Sequence, residues 1–361
     1  MNPFFAQQTR KHLDAMFALE EVRLANRNYG LPLEALRYDV TPAGLHYLLS
    51  HFDIPALDEQ KWRLAVTGRV GQPLTLSLND IKALPAKTLR VTLECAGNGR
   101  AGMTPRYASM PWLHEGTGTA EWTGTPLKNV LEQAGLHDDV TEISFLGADR
   151  GFDRGVEHAF GRSLKQAHAL DDDVLLVYAM NGAPLLPQHG APLRLVVPGW
   201  YGMASVKWLT GIEALDRPFD GYQQAVGYHY RASADDPGVP VTHIQVRSLI
   251  EPPGIPDWYT RQRLVDAGRV ELHGRAWSGA GVPVTSVEVR VDGTWHPARL
   301  EVSPHRYAWR RWTFMWDAPA GDHELCARAT DANGAVQPLE PGWNVAGMGN
   351  NAVHRIQVTV R

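Results

Sequence analysis

A cysteine stands at the point where a predicted strand gives way to a glycine-rich loop. Leu89–Cys95 alternates apolar and polar residues, as a half-buried strand does, and segment 96–105 is dominated by turn formers. A lone cysteine is most often a small buried hydrophobe. A thiolate at a strand end, with Arg100 nearby in sequence, is also suited to ligate a soft metal ion or to act as a nucleophile. Both interpretations stay open for Cys95, and its setting favours the reactive one.

Basic side chains flank a second apolar strand pattern, at residues 193–197. His189 and Arg194 lie around its start, and Lys207 follows its end. This arrangement predicts an anion clamp, and the planar fork of an arginine suits phosphate well. The alternative is a set of solvated loop charges, which are common in proteins.

The loop after Cys95 matches a dinucleotide-binding pattern. Gly97, Gly99 and Gly102 have the spacing G-x-G-x-x-G after a strand. A nucleotide-binding turn of this kind must open a helix, and Pro105 disfavours helical backbone at the residue before it. We therefore reject a dinucleotide site and predict a loop that wraps a ligand through its backbone amides.

The elements around these residues predict a mixed α+β region. Residues 8–28 suit an amphipathic helix or an N-terminal arm. Helices are predicted at 80–84, capped by Asn79-Asp80, at 126–134, and as a short turn at 163–167. Further strands are predicted at 62–68, 75–78, 141–146 and 174–180.

After a stretch rich in turn formers the pattern changes to short alternating strands. These lie at 270–272, 286–291, 323–329 and 355–360, with an Asp292-Gly293 hairpin signal. Cys326 falls in one of them and is predicted to be a core residue. The expected fold class is α+β, with an arm at 1–35, a mixed α/β domain at 36–240 and an immunoglobulin-like β-sandwich at 241–361.

Composition excludes several classes of protein. The 361 residues carry a net charge of −4 with interspersed signs, so no nucleic-acid or membrane surface is expected. With only two cysteines, a disulfide scaffold is excluded. The sequence contains no Cys-x-x-Cys motif, which argues against a zinc ribbon or a covalently attached haem. No long apolar run or signal peptide is visible. We expect a cytoplasmic protein, or a periplasmic one if a leader was removed.

Three segments closely resemble the sulfite oxidase family: VTLECAGNGR at 91–100, the segment at 180–209 and the closing segment at 343–360. The match runs over roughly residues 45–361 in the order of the family. It implies a molybdopterin-binding domain followed by a dimerisation domain, and hence a homodimer. The cytochrome b5 domain of animal members is missing, so the chain resembles a haem-free bacterial or plant-type member.

The resemblance also implies roles for single residues. Cys95 matches the thiolate ligand of molybdenum, which a pterin dithiolene also holds. The positions matching pterin or phosphate contacts are His51, Asp149, His189, Arg194, Ser205 and Lys207. Arg100, Trp112 and Tyr228 match substrate-pocket positions.

The departures from the family concern the substrate pocket. Two of its three expected arginines are replaced, by Leu49 and Ala346, and Gly227 replaces an acidic residue before the tyrosine. Arg106, Lys87 and His114 are possible substitutes for the missing charge.

The activity implied is oxidation of sulfite to sulfate by oxygen-atom transfer, with electrons passed to an external cytochrome or dioxygen. Fewer cations weaken the binding of a dianion. The alternative is therefore a reductase of S- or N-oxides, or an oxidase of another small substrate. A non-enzymatic carrier or interaction protein is a third hypothesis, and the retained Cys95 argues against it.

Overall fold

A computed structural model of the chain describes residues 17–361. Four short α-helices occur among these residues: α1 Leu19–Arg27, α2 Leu78–Ala83, α3 Leu127–Ala134 and α4 Gln166–Ala169. The strands up to residue 240 are β1 Leu64–Gly68, β2 Leu74–Leu76, β3 Lys87–Glu94, β4 Thr117–Pro126, β5 Glu142–Asp153, β6 Val156–Lys165, β7 Leu175–Met180, β8 Ala183–Pro184, β9 Arg194–Val196, β10 Leu209–Leu215, β11 His229–Tyr230 and β12 Val239–Pro240.

The remaining strands form the C-terminal region. They are β13 Arg247–Ile250, β14 Ile255–Pro256, β15 Arg263–Val265, β16 Gly268–Trp277, β17 Val284–Val291, β18 Thr294–Pro297, β19 Arg299–Leu300, β20 Arg310–Ala318, β21 Gly321–Asp331 and β22 His354–Val360. The predicted order, a mixed α+β region followed by a β-sandwich, is confirmed.

Two five-stranded sheets organise the first region. One has the order β2-β1-β10-β5-β6, and its β1 and β10 run parallel. The other has the order β3-β4-β7-β8, with β9 paired to β7. Leu64, Val66, Ile143, Phe145 and Ile212 are buried on the first sheet because alternate side chains of a strand share a face.

The C-terminal strands build two sheets around a separate apolar core. Their orders are β13-β16-β20-β19 and β14-β15-β22-β21-β17-β18. Trp312, Leu325 and Val358 are among the residues buried between them. Cys326 is also buried, at 1% exposure, which confirms the prediction that it is a core residue.

Two of the predicted local features need correction. Ser77, rather than Asn79-Asp80, caps α2: its hydroxyl accepts from the Asp80 amide while the Asp80 side chain binds back to Ser77. Residues 163–165 continue β6, and the helical turn begins only at Gln166. The predicted helix at 126–134 is confirmed, and it ends at Gly135 with φ of 68°.

Part of the predicted helix at 8–28 lies outside the described residues, and its described part is α1. The loop after Cys95 forms a single 3₁₀ turn at Arg100–Gly102 rather than an α-helix, in agreement with the rejected dinucleotide site. The hairpin at Asp292-Gly293 is confirmed, with positive φ at both residues.

A buried ion pair joins the two regions directly before Cys95. Glu94, the last residue of β3, lies 2.8 Å from Arg247 of β13, and both side chains are 1% exposed. The Glu94 carboxylate also accepts from Trp277 Nε1 at 2.9 Å and from Asn98 Nδ2 at 3.1 Å. The sandwich therefore holds the strand end that presents Cys95.

Removing one partner of this pair tests its contribution to stability. Arg247→Met is expected to lower the free energy of unfolding by about 3–5 kcal/mol, because it leaves the buried Glu94 charge without its cation. Urea denaturation measures the change. Arg355→Met breaks the partly exposed pairs with Glu324 and Glu340 in the same region and is the control, with an expected loss within about 1 kcal/mol. Equal losses in the two variants would contradict the assignment.

Candidate functional site

Cys95 lies at the wall of a cleft between the two sheets of the first region. Its amide donates to the Gly116 carbonyl at 2.8 Å, and its own carbonyl accepts from the Asn98 amide at 2.9 Å, so a tight turn fixes its position. Burial raises the pKa of the Cys95 thiol, while the charge of Arg100 and the Gly97 amide lower it. A soft cation bound here would displace the thiol proton.

The cleft encloses about 660 Å³ of space not filled by protein atoms, part of it open to solvent. Eight of the ten residues predicted for the site line it: His51, Cys95, Asp149, His189, Arg194, Ser205, Lys207 and Tyr228. They come from distant parts of the chain. Asp149 lies on β5 and Arg194 on β9, and the loops before β1, after β3, on both sides of β9 and before β11 supply the others.

Arg194 gives one wall of the cleft a buried positive charge. It begins β9, and its guanidinium donates to the carbonyls of His189 at 3.0 Å and Ser205 at 3.1 Å. It also lies over the Trp122 ring, 4.8 Å from the ring centre. Burial lowers its pKa to about 10, so it stays protonated at neutral pH. No carboxylate lies within ion-pair distance of it among residues 17–361.

Lys207 adds a second cation to this wall. Its ammonium donates to the Leu49 carbonyl at 2.9 Å, the Gln188 carbonyl at 3.1 Å and the Ser50 hydroxyl at 3.2 Å. Burial and the nearby Arg194 charge lower its pKa to about 7. The charge of Lys207 is therefore only partly present at neutral pH, and a bound anion would restore it.

His189 completes the wall as a neutral group. Burial lowers its pKa to about 4, assisted by the Arg194 charge. One ring nitrogen lies 3.3 Å from the Ala43 carbonyl, which fixes the ring. The Ser205 hydroxyl accepts from the Val197 amide at 3.1 Å and keeps its own proton available for a ligand.

Asp149 supplies an acceptor with no partner. It lies on β5 at 5% exposure, and its Oδ1 atom makes no hydrogen bond among the described residues. Burial raises its pKa to about 6, although the Lys207 charge lowers it. A buried carboxylate oxygen without a donor is costly unless a ligand supplies one.

These residues fit the cofactor implied by the sequence. A molybdenum-bound pterin needs a thiolate for the metal, cations for its phosphate and an acceptor for its ring N–H groups. Cys95, the pair Arg194 and Lys207, and the unsatisfied oxygen of Asp149 offer these three functions around one cleft.

Tyr228 closes the other side of the cleft. It follows a π-helical segment at Gln223–Gly227, and its hydroxyl lies 2.8 Å from His51 Nε2. Burial lowers the pKa of His51 to about 4, so this ring is neutral at pH 7. Burial also raises the pKa of Tyr228, which keeps the phenol protonated.

Arg100 and Trp112 do not line the cleft. Both are buried behind Cys95, and Arg100 donates to the Ala346 carbonyl at 2.9 Å and to the Met110 carbonyl at 3.3 Å. Leu49 lines the cleft with an apolar side chain, whereas Ala346 contributes its carbonyl to Arg100. The replacement at Leu49 therefore leaves an apolar position in the cleft, whereas Ala346 does not line it.

The suggested substitute cations are placed elsewhere. Lys87 begins β3, roughly 25 Å from Cys95 along the strand, and binds Asp173 at 2.6 Å. Arg106 binds the buried Glu21 at 2.9 Å. His114 packs against His354 outside the cleft, with ring centres 4.6 Å apart.

Several buried groups around this cleft were not predicted from the sequence. His46 and Tyr47 line it from a segment in which no helix or strand was predicted. Arg162 lies on β6, with its guanidinium carbon 5.4 Å from the centre of the Tyr228 ring. Because residues 163–167 were predicted to form a helical turn, strand β6, which directs Arg162 inward, was not predicted.

Comparison with known proteins gives matches over both regions. The family described as the oxidoreductase molybdopterin binding domain matches residues 51–223, and the Mo-co oxidoreductase dimerisation domain matches residues 240–361. In its fold, the chain resembles the sulfane dehydrogenase SoxCD from Paracoccus pantotrophus, with a TM-score of 0.78 and 28% identity over 91% of this chain and 83% of that one.

Two kinds of relative share its sequence. Mitochondrial sulfite oxidase of Homo sapiens is 36% identical over 348 residues, covering 89% of this chain and 62% of that protein. The NADH nitrate reductase of Ulva prolifera is 30% identical over 351 residues, covering 88% of this chain and 40% of that protein. The chain thus spans only part of the length of these curated relatives.

The lowered pKa of Lys207 predicts a pH-dependent affinity for anions in the cofactor-free protein. Sulfate, which stays a dianion throughout, is expected to bind about tenfold more tightly at about pH 6.5 than at about pH 8.5, because the ammonium loses its proton as pH rises through about 7. Equilibrium dialysis measures the affinity.

The control for this measurement is Lys207→Met. The variant should bind sulfate weakly and with a smaller dependence on pH in this interval, because His51 and His189, with pKa values of about 4, are neutral throughout. The dependence that remains comes from Asp149, whose pKa is raised to about 6 and which repels sulfate once it is ionised. An unchanged pH profile in the variant would exclude Lys207 as the titrating cation.

Proposed function

Because the chain belongs to the sulfite oxidase family, we propose that it is a molybdopterin-dependent oxidoreductase that oxidises sulfite to sulfate. The observation that carries this proposal is the placement of a buried thiol, Cys95, in a cleft whose other wall holds Arg194 and Lys207, neither of which forms an ion pair among residues 17–361. A soft ligand for a metal and an anion clamp for a phosphate in one cleft suit a pterin-bound metal.

When bound, the molybdenum–pterin group supplies a redox metal that exchanges an oxygen atom and two electrons with a substrate. Cys95 holds the metal, and Arg194 and Lys207 hold the phosphate. Asp149 accepts hydrogen bonds from the pterin ring. Together these contacts fix the cofactor in one orientation, which reduces the cost of aligning a substrate with it.

The side chains opposite the clamp act on the substrate. The Tyr228 hydroxyl, held by His51, donates a hydrogen bond to a substrate oxygen, and its raised pKa keeps the proton on the phenol. Arg100 acts from behind Cys95 through its positive charge, because its hydrogen bonds to carbonyls leave that charge unneutralised. Trp112 packs in the same apolar cluster as Cys95 and shapes the wall that holds it. These charges and dipoles are in place before the substrate arrives, so they need no reorganisation during the reaction.

A second candidate function is reduction of an S- or N-oxide. The apolar Leu49 in the cleft favours it, because a neutral oxide has less need of charge partners than a dianion. The similarity to a nitrate reductase is consistent with a reductase activity. If the protein instead oxidises its substrate, an external acceptor, either a cytochrome or dioxygen, receives the electrons.

We also propose that the chain forms a homodimer through the residues matched by the dimerisation family. The division into an arm at 1–35, a cofactor domain at 36–240 and a dimerisation domain at 241–361 remains our proposal. Light scattering is expected to give about twice the chain mass of 40.0 kDa. A mass of one chain at micromolar concentration would contradict the dimer.

Replacing the proposed metal ligand tests the central assignment. Cys95→Ser, made in a host that produces molybdopterin, is expected to lower sulfite turnover by at least about hundredfold, because a harder oxygen ligand replaces the thiolate. X-ray absorption at the molybdenum edge should show one sulfur ligand fewer.

Cys326→Ser makes the same change in the sandwich core and is the matched control, with turnover and metal ligation expected to be unchanged. Full turnover with an unaltered sulfur count in Cys95→Ser would refute the metal-ligand role.

Steady-state assays separate the two candidate functions. Sulfite-dependent reduction of ferricyanide or cytochrome c by the molybdenum-loaded protein is the expected result. Turnover of methionine sulfoxide or nitrate with a reduced viologen donor, without any sulfite activity, would instead establish the reductase.

A further inference from the structure

The buried arginines of the described residues fall into two groups. Six arginines are buried, and three of them, Arg247, Arg263 and Arg275, form ion pairs with carboxylates. The other three, Arg100, Arg162 and Arg194, have no carboxylate within 4.0 Å among residues 17–361. An arginine that is buried without a carboxylate is costly unless another group or a ligand stabilises its charge.

Arg162 is the member of the unpaired group to which no role has been assigned. Burial lowers its pKa to about 10, so it carries its charge at neutral pH. Its Nη1 atom donates to the Gln223 carbonyl, whereas its buried Nε atom has no hydrogen-bond partner. The guanidinium faces the Tyr228 ring, with 5.4 Å between the guanidinium carbon and the ring centre.

The contacts of Arg162 connect it to the segment that presents Tyr228. Gln223 starts the π-helical segment that ends at Gly227, and its side-chain amide donates to His158 Nε2 at 2.9 Å. One cation thus binds the start of this segment and packs on the tyrosine at its end. π-Helical segments are frequently found at functional sites, and this one has both of its ends fixed by the same side chain.

We propose that Arg162 is a positioning residue that fixes Tyr228 at the substrate side of the cleft and supplies the positive charge that draws an oxyanion substrate there. It acts through Tyr228, since it does not itself line the cleft. The inference rests on the proposed function for the identity of the substrate, and it names an oxyanion such as sulfite or sulfate as the ligand class.

The test measures binding of sulfate to the molybdenum-loaded protein, in which the cofactor occupies the clamp formed by Arg194 and Lys207. Arg162→Met is expected to raise the sulfate dissociation constant by about tenfold, because it removes a charge that low-dielectric surroundings leave unscreened. The KM for sulfite should rise by a similar factor. Arg275→Met also removes a buried arginine, from the interface with the sandwich, and should leave the sulfate affinity unchanged even if it destabilises the fold.

A conservative variant separates charge from position. Arg162→Lys keeps the charge and loses the planar fork, so sulfate affinity should stay within about threefold while kcat falls by about tenfold. Arg162→Lys tests the proposed role of Arg162 if Arg162→Met fails to fold or to retain molybdenum. Wild-type values of both sulfate affinity and kcat in Arg162→Lys would then overturn the proposal.

A double-mutant cycle tests whether Arg162 acts through Tyr228. In a Tyr228→Phe background, Arg162→Met is expected to lower kcat by much less than it does alone, because the hydroxyl that it positions is already gone. If Arg162→Met lowers kcat by the same factor with and without Tyr228→Phe, the proposal that Arg162 acts through Tyr228 is wrong.

Failure of the inference and failure of the proposed function give different results. If the protein turns over sulfite but Arg162→Met binds sulfate as the wild type does, the inference is wrong and the function stands. If sulfite is not oxidised but sulfate binding depends on Arg162, the function is wrong and the oxyanion site stands. If the loaded wild-type protein binds no sulfate, the inference is overturned.

Discussion

The buried carboxylate of Glu94 is the point on which both halves of the molecule depend. It ends the strand that leads into Cys95, forms an ion pair with Arg247 and accepts hydrogen bonds from Trp277 of the sandwich and Asn98 of the following loop. Asn350 adds a second link by donating to the Gly99 carbonyl at 2.7 Å. The loop that holds the thiol therefore has its geometry set by residues about 150 to 250 positions further along the chain.

Charge pairing separates the buried cations of the described residues into two groups. Where the sandwich meets the first region, buried arginines are neutralised by carboxylates, as at Arg247 and Arg275. In and around the cleft, Arg194 and Lys207 are held by main-chain carbonyls and one hydroxyl, which orient a cation without cancelling its charge. The positive potential is thus preserved for a ligand, and the low dielectric of the site strengthens it.

Much of this arrangement could be predicted from local patterns. The family identification is confirmed, and alternation found β3, while Pro126 and Gly135 marked the ends of α3. The sequence could not show that Arg100 lies behind the cleft, because its position is set by the distant Ala346 carbonyl. Strand β20 was missed because its sequence, RRWTFMWDA, mixes large apolar and charged residues without a clear alternation.

The cleft also links folding to cofactor binding. Keeping Arg194 charged and leaving Asp149 Oδ1 without a donor both cost free energy in the empty protein. A pterin phosphate and ring N–H groups offset these costs only when the two sheets hold their native positions. Binding must therefore stabilise the folded state by mass action. Because Glu94 links the Cys95 loop to Arg247 and Trp277 of the sandwich, that stabilisation extends to the contacts between the two regions.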